Sequence, residues 1–245
     1  MVPLFYGSMA IVWQYESMEP LNHGTMLSFF TSLTGIDVRF LHKGDNLKAP
    51  TNCARLNQVH SNRTISVQHP MDATEKADLS AEALAKADGM ITDTIGLPLV
   101  IRVADCQSFC IYAPKKRVIG ALHAGWRGLV ADAIEEHFNV LKREWDIEPK
   151  DVWIAAGPSL CQRCAEFTDP KKELPGIDPR FFDGRYVDLR GIADEKFRTL
   201  GVVPERIERH PDCTRCHPER YWSYRGGDRS AVQQGSSNLL LCSIF

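Results

Sequence analysis

The chain has 245 residues, 44% of them hydrophobic and 24% charged, with a formal net charge of −2. That length and apolar content suit a single globular domain, residues 1–245, with a sizeable core. The near-balanced charge gives no general attraction to nucleic acid or to an anionic membrane surface, and neither partner is expected.

The first fifty residues are the least patterned. Gly7, Gly24, Gly35 and Gly44 among aromatics predict short strands and turns, and Phe29-Phe30-Thr31 reads as one strand. Glu16, Glu19 and His23 interrupt the apolar run of the opening thirty residues, so neither a secretory signal nor a membrane span is expected there. With no signal segment, the eight cysteines read as reduced thiols or metal ligands, and cytoplasmic residence follows.

Further along, Thr64–Val67 is β-branched and predicts a short strand just after His60. Leu79–Ala87 predicts a helix with Ser80 as its cap. Leu97–Val103, Phe109–Tyr112 and Val118–Leu122 are apolar runs that predict buried strands, the last two joined by the Pro114-Lys115-Lys116-Arg117 turn. This ladder delivers Cys106 and His123 to the same end of a sheet. A helix is predicted from Gly128 to about Trp145, because Val130, Ile134, Phe138, Leu141 and Trp145 recur at helical spacing. Val152–Ala155 predicts a strand ended by Gly157-Pro158, and Leu189–Leu200 a second good helix. Gly226–Ser237 reads as loop and Leu239–Leu241 as a final strand. Strands and helices alternate irregularly, which predicts a layered α+β domain rather than a doubly wound parallel sheet.

The chemistry centres on three separated positions. Cys106 follows Ala104-Asp105, His123 comes seventeen residues later, and His60 closes Asn57-Gln58-Val59-His60. Two imidazoles and a thiolate suit a borderline-soft divalent ion, and three protein ligands with a fourth position open is the pattern of a catalytic zinc. The same atoms also serve two other readings: a Cys–His nucleophilic pair, or a buried thiol with ordinary histidines. Arg127, between Gly125 and the helix predicted from Gly128, and Arg102 are candidates for binding phosphate or ribose. Asp105 has three uses open to it: orienting a histidine, binding substrate hydroxyls, or capping a turn. Trp126 reads as core or as a stacking surface for a planar ring. Tyr221, Trp222 and Tyr224 with Arg225 form a second aromatic and cationic cluster.

Ala87-Asp88-Gly89-Met90-Ile91-Thr92, Ala104-Asp105-Cys106 and His123-Ala124-Gly125-Trp126-Arg127-Gly128 together resemble the multicopper polyphenol oxidase (laccase-like) domain family. Asn57-Gln58-Val59-His60, Gly157-Pro158-Ser159 and Tyr221-Trp222-Ser223-Tyr224-Arg225 extend the likeness over roughly residues 50 to 245, leaving residues 1–50 as a divergent N-terminal part. The resemblance implies mixed β-sheets packed in a layered sandwich with helices outside. It also implies a zinc-dependent purine nucleoside phosphorylase, acting with phosphate on adenosine, inosine or methylthioadenosine, with adenosine deamination as a side or alternative activity. On that footing His60, Cys106 and His123 are the catalytic metal ligands, and Arg127, Arg102, Asp105 and Arg225 bind substrate. The family pattern after Arg225 is reproduced only partly by Gly226-Gly227-Asp228-Arg229.

Two alternatives belong to other classes. Copper-dependent phenol oxidation needs many histidines for its metal cluster, and eight scattered ones without a His-x-His pair argue for zinc over copper. A metal-stabilised binding module is suggested by Cys161-Gln162-Arg163-Cys164 and Cys213-Thr214-Arg215-Cys216. Two C-x-x-C pairs can share a second zinc, but 48 residues lie between Cys164 and Cys213, so four reduced thiols is the rival reading. His210 or His217 could replace one thiol.

Overall fold

A computed structural model describes residues 33–45, 50, 52–70 and 84–245. The strands are β1 (Ile36–Leu41), β2 (Thr64–Ser66), β3 (Gly89–Thr92), β4 (Leu99–Val103), β5 (Gln107–Ala113) and β6 (Val118–Ala124). Two helices follow, α1 (Trp126–Val130) and α2 (Ala133–Trp145), then β7 (Trp153–Ala156), the single turn α3 (Pro170–Glu173) and the ribbon β8 (Phe182–Asp183) and β9 (Tyr186–Val187). The remainder is α4 (Leu189–Leu200), β10 (Ile207–Arg209), α5 (Arg229–Gln233) and β11 (Asn238–Ile244).

A six-stranded mixed sheet in the order β10-β7-β5-β6-β3-β2 forms the centre, and a three-stranded antiparallel sheet, β1-β11-β4, packs on one side of it. All seven residues of β5 and all seven of β6 are buried, because both faces of the hairpin are covered. Phe109, Ile111 and Ala113 join the core under the helices, while Cys110 and Tyr112 join the core between the sheets. Two-sided burial of this kind gives continuous apolar runs instead of alternation. By contrast β11 alternates buried and half-buried, as a strand covered on one face does. The result is the expected single-domain α+β sandwich with its helices outside.

Helix α2 lies on the central sheet and presents His137 to a notch made by two glycines. A Cβ on Gly120 would come within 2.3 Å of His137 Nε2, and one on Gly89 within 2.9 Å of its Nδ1. Lys196 of α4 bridges Asp132 at 2.8 Å and Glu135 at 2.5 Å, tying the two long helices together.

Three expectations require correction. The helix expected from Gly128 to Trp145 is two helices, beginning at Trp126 and interrupted at Asp132, whose φ of 58° is left-handed. Aspartate tolerates that conformation better than most residues, so the helical spacing runs on through a break. The helix expected over Leu79–Ala87 does not form where it is described: Lys86 makes an isolated bridge to Asn57, and Ala87 donates its N–H to the Asn57 carbonyl. Residues 79–83 and Phe29-Phe30-Thr31 lie outside the described residues. The segment Gly226–Ser237 is not all loop, since Arg229–Gln233 forms α5; its glycines flank a short stretch that contains neither glycine nor proline. Among the described residues no helix is long and apolar enough to cross a membrane.

Candidate functional site

The hairpin register places two of the three expected ligands. Ser108 pairs with His123 and Gln107 with Ala124, so Cys106, just ahead of β5, meets His123 near the end of β6. The third, His60, arrives from the loop before β2 with a left-handed φ of 60°. The ligand atoms of His60, Cys106 and His123 lie within 4.8 Å of one another, and the two imidazole rings cross at 78° with centroids 5.0 Å apart. Gly125 makes the approach possible, since a Cβ there would stand 2.7 Å from Cys106 Sγ.

Asp88 organises this cluster. Fully buried, it accepts the backbone N–H of His60 at 2.9 Å and of Ser61 at 2.6 Å, the Ser61 hydroxyl at 2.8 Å, and lies 2.8 Å from His123 Nδ1. A carboxylate only accepts, so the Nδ1 proton belongs to the histidine and Nε2 is left for a metal. Burial pushes the Asp88 carboxyl up, but the bonds from His123 and Ser61 outweigh it and hold its pKa below the ordinary range. Burial likewise pushes the Cys106 thiol up, and the imidazoles of His123 and His60 overturn that and bring it to about 6. Burial disfavours a charged His123, yet the Cys106 sulfur and Asp88 raise it to about 9. These neighbours favour the thiolate, which is the metal-binding form of cysteine.

The cluster opens on a cavity of about 1100 Å³ whose wall includes Arg102, Asp105, Arg127 and Arg225. The exposed Arg127 guanidinium lies 4.2 Å over the Trp126 ring and makes no hydrogen bond to another described residue. Trp126 in turn meets Phe167 edge-on at 5.8 Å and is half-buried, so it is both core and cavity wall. Arg102 is committed in part to the tail, through Ser237 Oγ at 3.1 Å and the Gly235 carbonyl. Arg225 stacks over Phe167 at 4.8 Å and donates to the Glu166 carbonyl.

Of the three uses left open for Asp105, orienting a histidine falls to Asp88 instead. Asp105 is buried and accepts from Thr214 Oγ1 at 2.8 Å, Ser223 Oγ at 2.6 Å and the Arg225 N–H at 2.7 Å, so its carboxylate holds the later chain segments in place. The signal for Asp88 was present in the sequence as an acid next to the apolar run Gly89-Met90-Ile91. An acid in that position needs buried partners.

A second cluster stands apart from this one. The sulfurs of Cys161, Cys164, Cys213 and Cys216 also lie within 4.8 Å of one another. Neither histidine substitutes for a thiol: buried His210 packs edge-on against Phe40 and Tyr221, and His217 Nδ1 faces Glu219 at 3.6 Å.

Residues 40–238 match the family model described as multi-copper polyphenol oxidoreductase laccase. The mouse protein named purine nucleoside phosphorylase LACC1 is 29% identical over 165 residues, 62% of this chain and 38% of that protein. Purine nucleoside phosphorylase YlmD of Geobacillus stearothermophilus is 30% identical over 158 residues, 59% of this chain and 57% of its own. The chain therefore spans well under two thirds of either relative. The crystal structure of YlmD from Geobacillus stearothermophilus superposes with a TM-score of 0.67 at 25% identity, covering 79% of this chain and 73% of that one.

Proposed function

The chain belongs to the multi-copper polyphenol oxidoreductase laccase family, and from that premise we propose that it is a zinc-dependent purine nucleoside phosphorylase. Its substrates are adenosine, inosine or methylthioadenosine together with phosphate, and adenosine deamination is a second activity of the same site. The observation that carries this reading is the His60–Cys106–His123 cluster, oriented by Asp88 and open to a cavity large enough for a nucleoside.

The donor set fits zinc. Imidazole and thiolate are the ligands this ion prefers, a protein carboxylate sets the His123 tautomer, and the glycine at position 125 leaves room for the sulfur. Among the described residues the only other group of candidate ligands is made of four cysteines, which does not supply the extra histidines a multicopper centre uses. A zinc ion held by His60, Cys106 and His123 would supply Lewis acidity to a substrate in the cavity that these residues line. The chain's own residues do the rest. Phosphorolysis needs an anion held near the anomeric carbon while positive charge develops on the ribose. The Arg127 guanidinium, stacked on Trp126 with no hydrogen bond to another described residue, suits that anion, because its planar fork matches phosphate oxygens in pairs. Arg102 and Arg225, both partly engaged, line the same cavity and add positive potential to it. Trp126 adds an aromatic surface.

Turnover of a nucleoside panel with and without phosphate tests the proposal, with ribose 1-phosphate and free base as the expected products. Cys106→Ala should lose zinc and turnover together. Stoichiometric zinc without turnover of any nucleoside would favour a metal-stabilised binding module, and copper-dependent phenol oxidation would replace the proposal outright.

A further inference from the structure

We propose that Cys161, Cys164, Cys213 and Cys216 bind a structural zinc ion as a tetrathiolate, and that this ion clamps two loops onto Asp105, the neighbour of Cys106. The inference does not depend on the nucleoside reading, since it concerns a different set of donors.

The geometry of the sulfurs is that of a metal site. Zinc–sulfur bonds of about 2.3 Å in a tetrahedron put sulfurs roughly 3.8 Å apart. Here Cys216 Sγ stands 3.9 Å from Cys161 Sγ and 3.5 Å from Cys164 Sγ, and all four cysteines are free of disulfides. The Cys161 backbone N–H donates to Cys213 Sγ at 3.3 Å, a bond that stabilises charge on sulfur. Cysteines that merely fill a core are buried. Cys216 is exposed and Cys161 half-buried, so apolar packing does not account for the convergence.

The loops that carry the cysteines are built to meet. Ser159 and Cys213 form a parallel bridge, with the Thr214 N–H donating to the Ser159 carbonyl at 3.2 Å. Arg190 of α4 spans both loops, donating to the Ser159 carbonyl at 2.5 Å and the Leu160 carbonyl at 3.1 Å on one side. On the other it reaches the Pro211 carbonyl at 3.0 Å and that of Asp212 at 2.5 Å. Each loop also sends a bond to Asp105: the Leu160 N–H reaches its carbonyl at 3.2 Å, and Thr214 Oγ1 its carboxylate at 2.8 Å. Asp105 has a φ of 89°, a backbone state that must be held by its surroundings. A metal joining the loops would secure those bonds, and the thiols would release their protons to solvent as it binds.

Native mass spectrometry and zinc-edge X-ray absorption test this on the full chain. The wild type should carry two zinc ions, one for each donor set. The variant His60→Ala/Cys106→Ala should keep one, with an all-sulfur shell. Cys216→Ser, at the exposed position, should lose one zinc and melt at a lower temperature while the His/Cys shell of the other ion persists. If Cys216→Ser does not fold, the wild type and the His60→Ala/Cys106→Ala protein decide alone. A zinc-free His60→Ala/Cys106→Ala protein, a shell containing nitrogen in it, or a disulfide within the cysteine set of the freshly isolated wild type overturns the proposal.

Discussion

Asp88 Oδ1 lies 2.8 Å from His123 Nδ1 and 2.9 Å from the backbone nitrogen of His60, so one buried carboxylate fixes the ring of one histidine and the main chain of the other. The Asp88→Asn variant keeps the shape and loses the charge. It should weaken metal binding by roughly 10–100-fold, the range for removing a partner of a ligating histidine. A competition titration against a chromogenic chelator measures this, and an unchanged affinity would reduce Asp88 to a structural residue.

Gly125→Ala should act on the cluster with little effect on the backbone, because Gly125 has an ordinary extended conformation with φ of −74°. The added methyl would stand 2.7 Å from Cys106 Sγ and 3.3 Å from His60 Cδ2. We expect a folded protein, by circular dichroism, with substoichiometric metal in elemental analysis.

Arg127→Ala should raise the KM for phosphate by about ten- to a hundredfold and change that for the nucleoside far less. A charge-assisted hydrogen-bonded contact is worth about 1.5–3 kcal/mol. Steady-state kinetics with each substrate varied in turn separates the two constants. Equal changes in both would place Arg127 in the scaffold.

Acid should destabilise the fold through His137. Burial lowers its pKa from 6.5 to about 3 in the folded chain. Between those values the unfolded chain binds the proton and the folded chain does not. The stabilisation is therefore complete above pH 6.5 and is lost as pH falls toward about 3, at up to about 1.4 kcal/mol per pH unit. Urea unfolding of wild type and His137→Gln across that window should show a shallower pH dependence in the variant.

The parts of the site that were legible in the sequence are those fixed by local pattern. The turn at Pro114–Arg117 and the apolar runs beside it define the β5–β6 hairpin, and the hairpin alone brings Cys106 to His123. The parts that were not legible depend on distant partners. Asp88 and Asp105 are both acids beside apolar strands, and only their partners, 35 residues away at His123 and 109 away at Thr214, tell them apart. The break at Asp132 escaped because helical spacing continues across it, and α5 because glycine and serine surround it. Convergence of the two C-x-x-C pairs rests on the Ser159–Cys213 bridge, which their separation along the chain does not reveal.

The strand order of the small sheet has a consequence for biosynthesis. β11 sits between β1 and β4, so both earlier strands leave the ribosome without the neighbour they pair with. The hairpin face formed by Cys110, Tyr112, Ile119 and Ala121 stays incompletely covered until residues 238–244 are translated. A nascent chain in that state exposes apolar surface and unpaired strand edges, the features that recruit chaperones and promote aggregation. Premature termination ahead of Asn238 would leave all of His60, Cys106 and His123 in the polypeptide, yet strand them in a chain that cannot finish its sandwich.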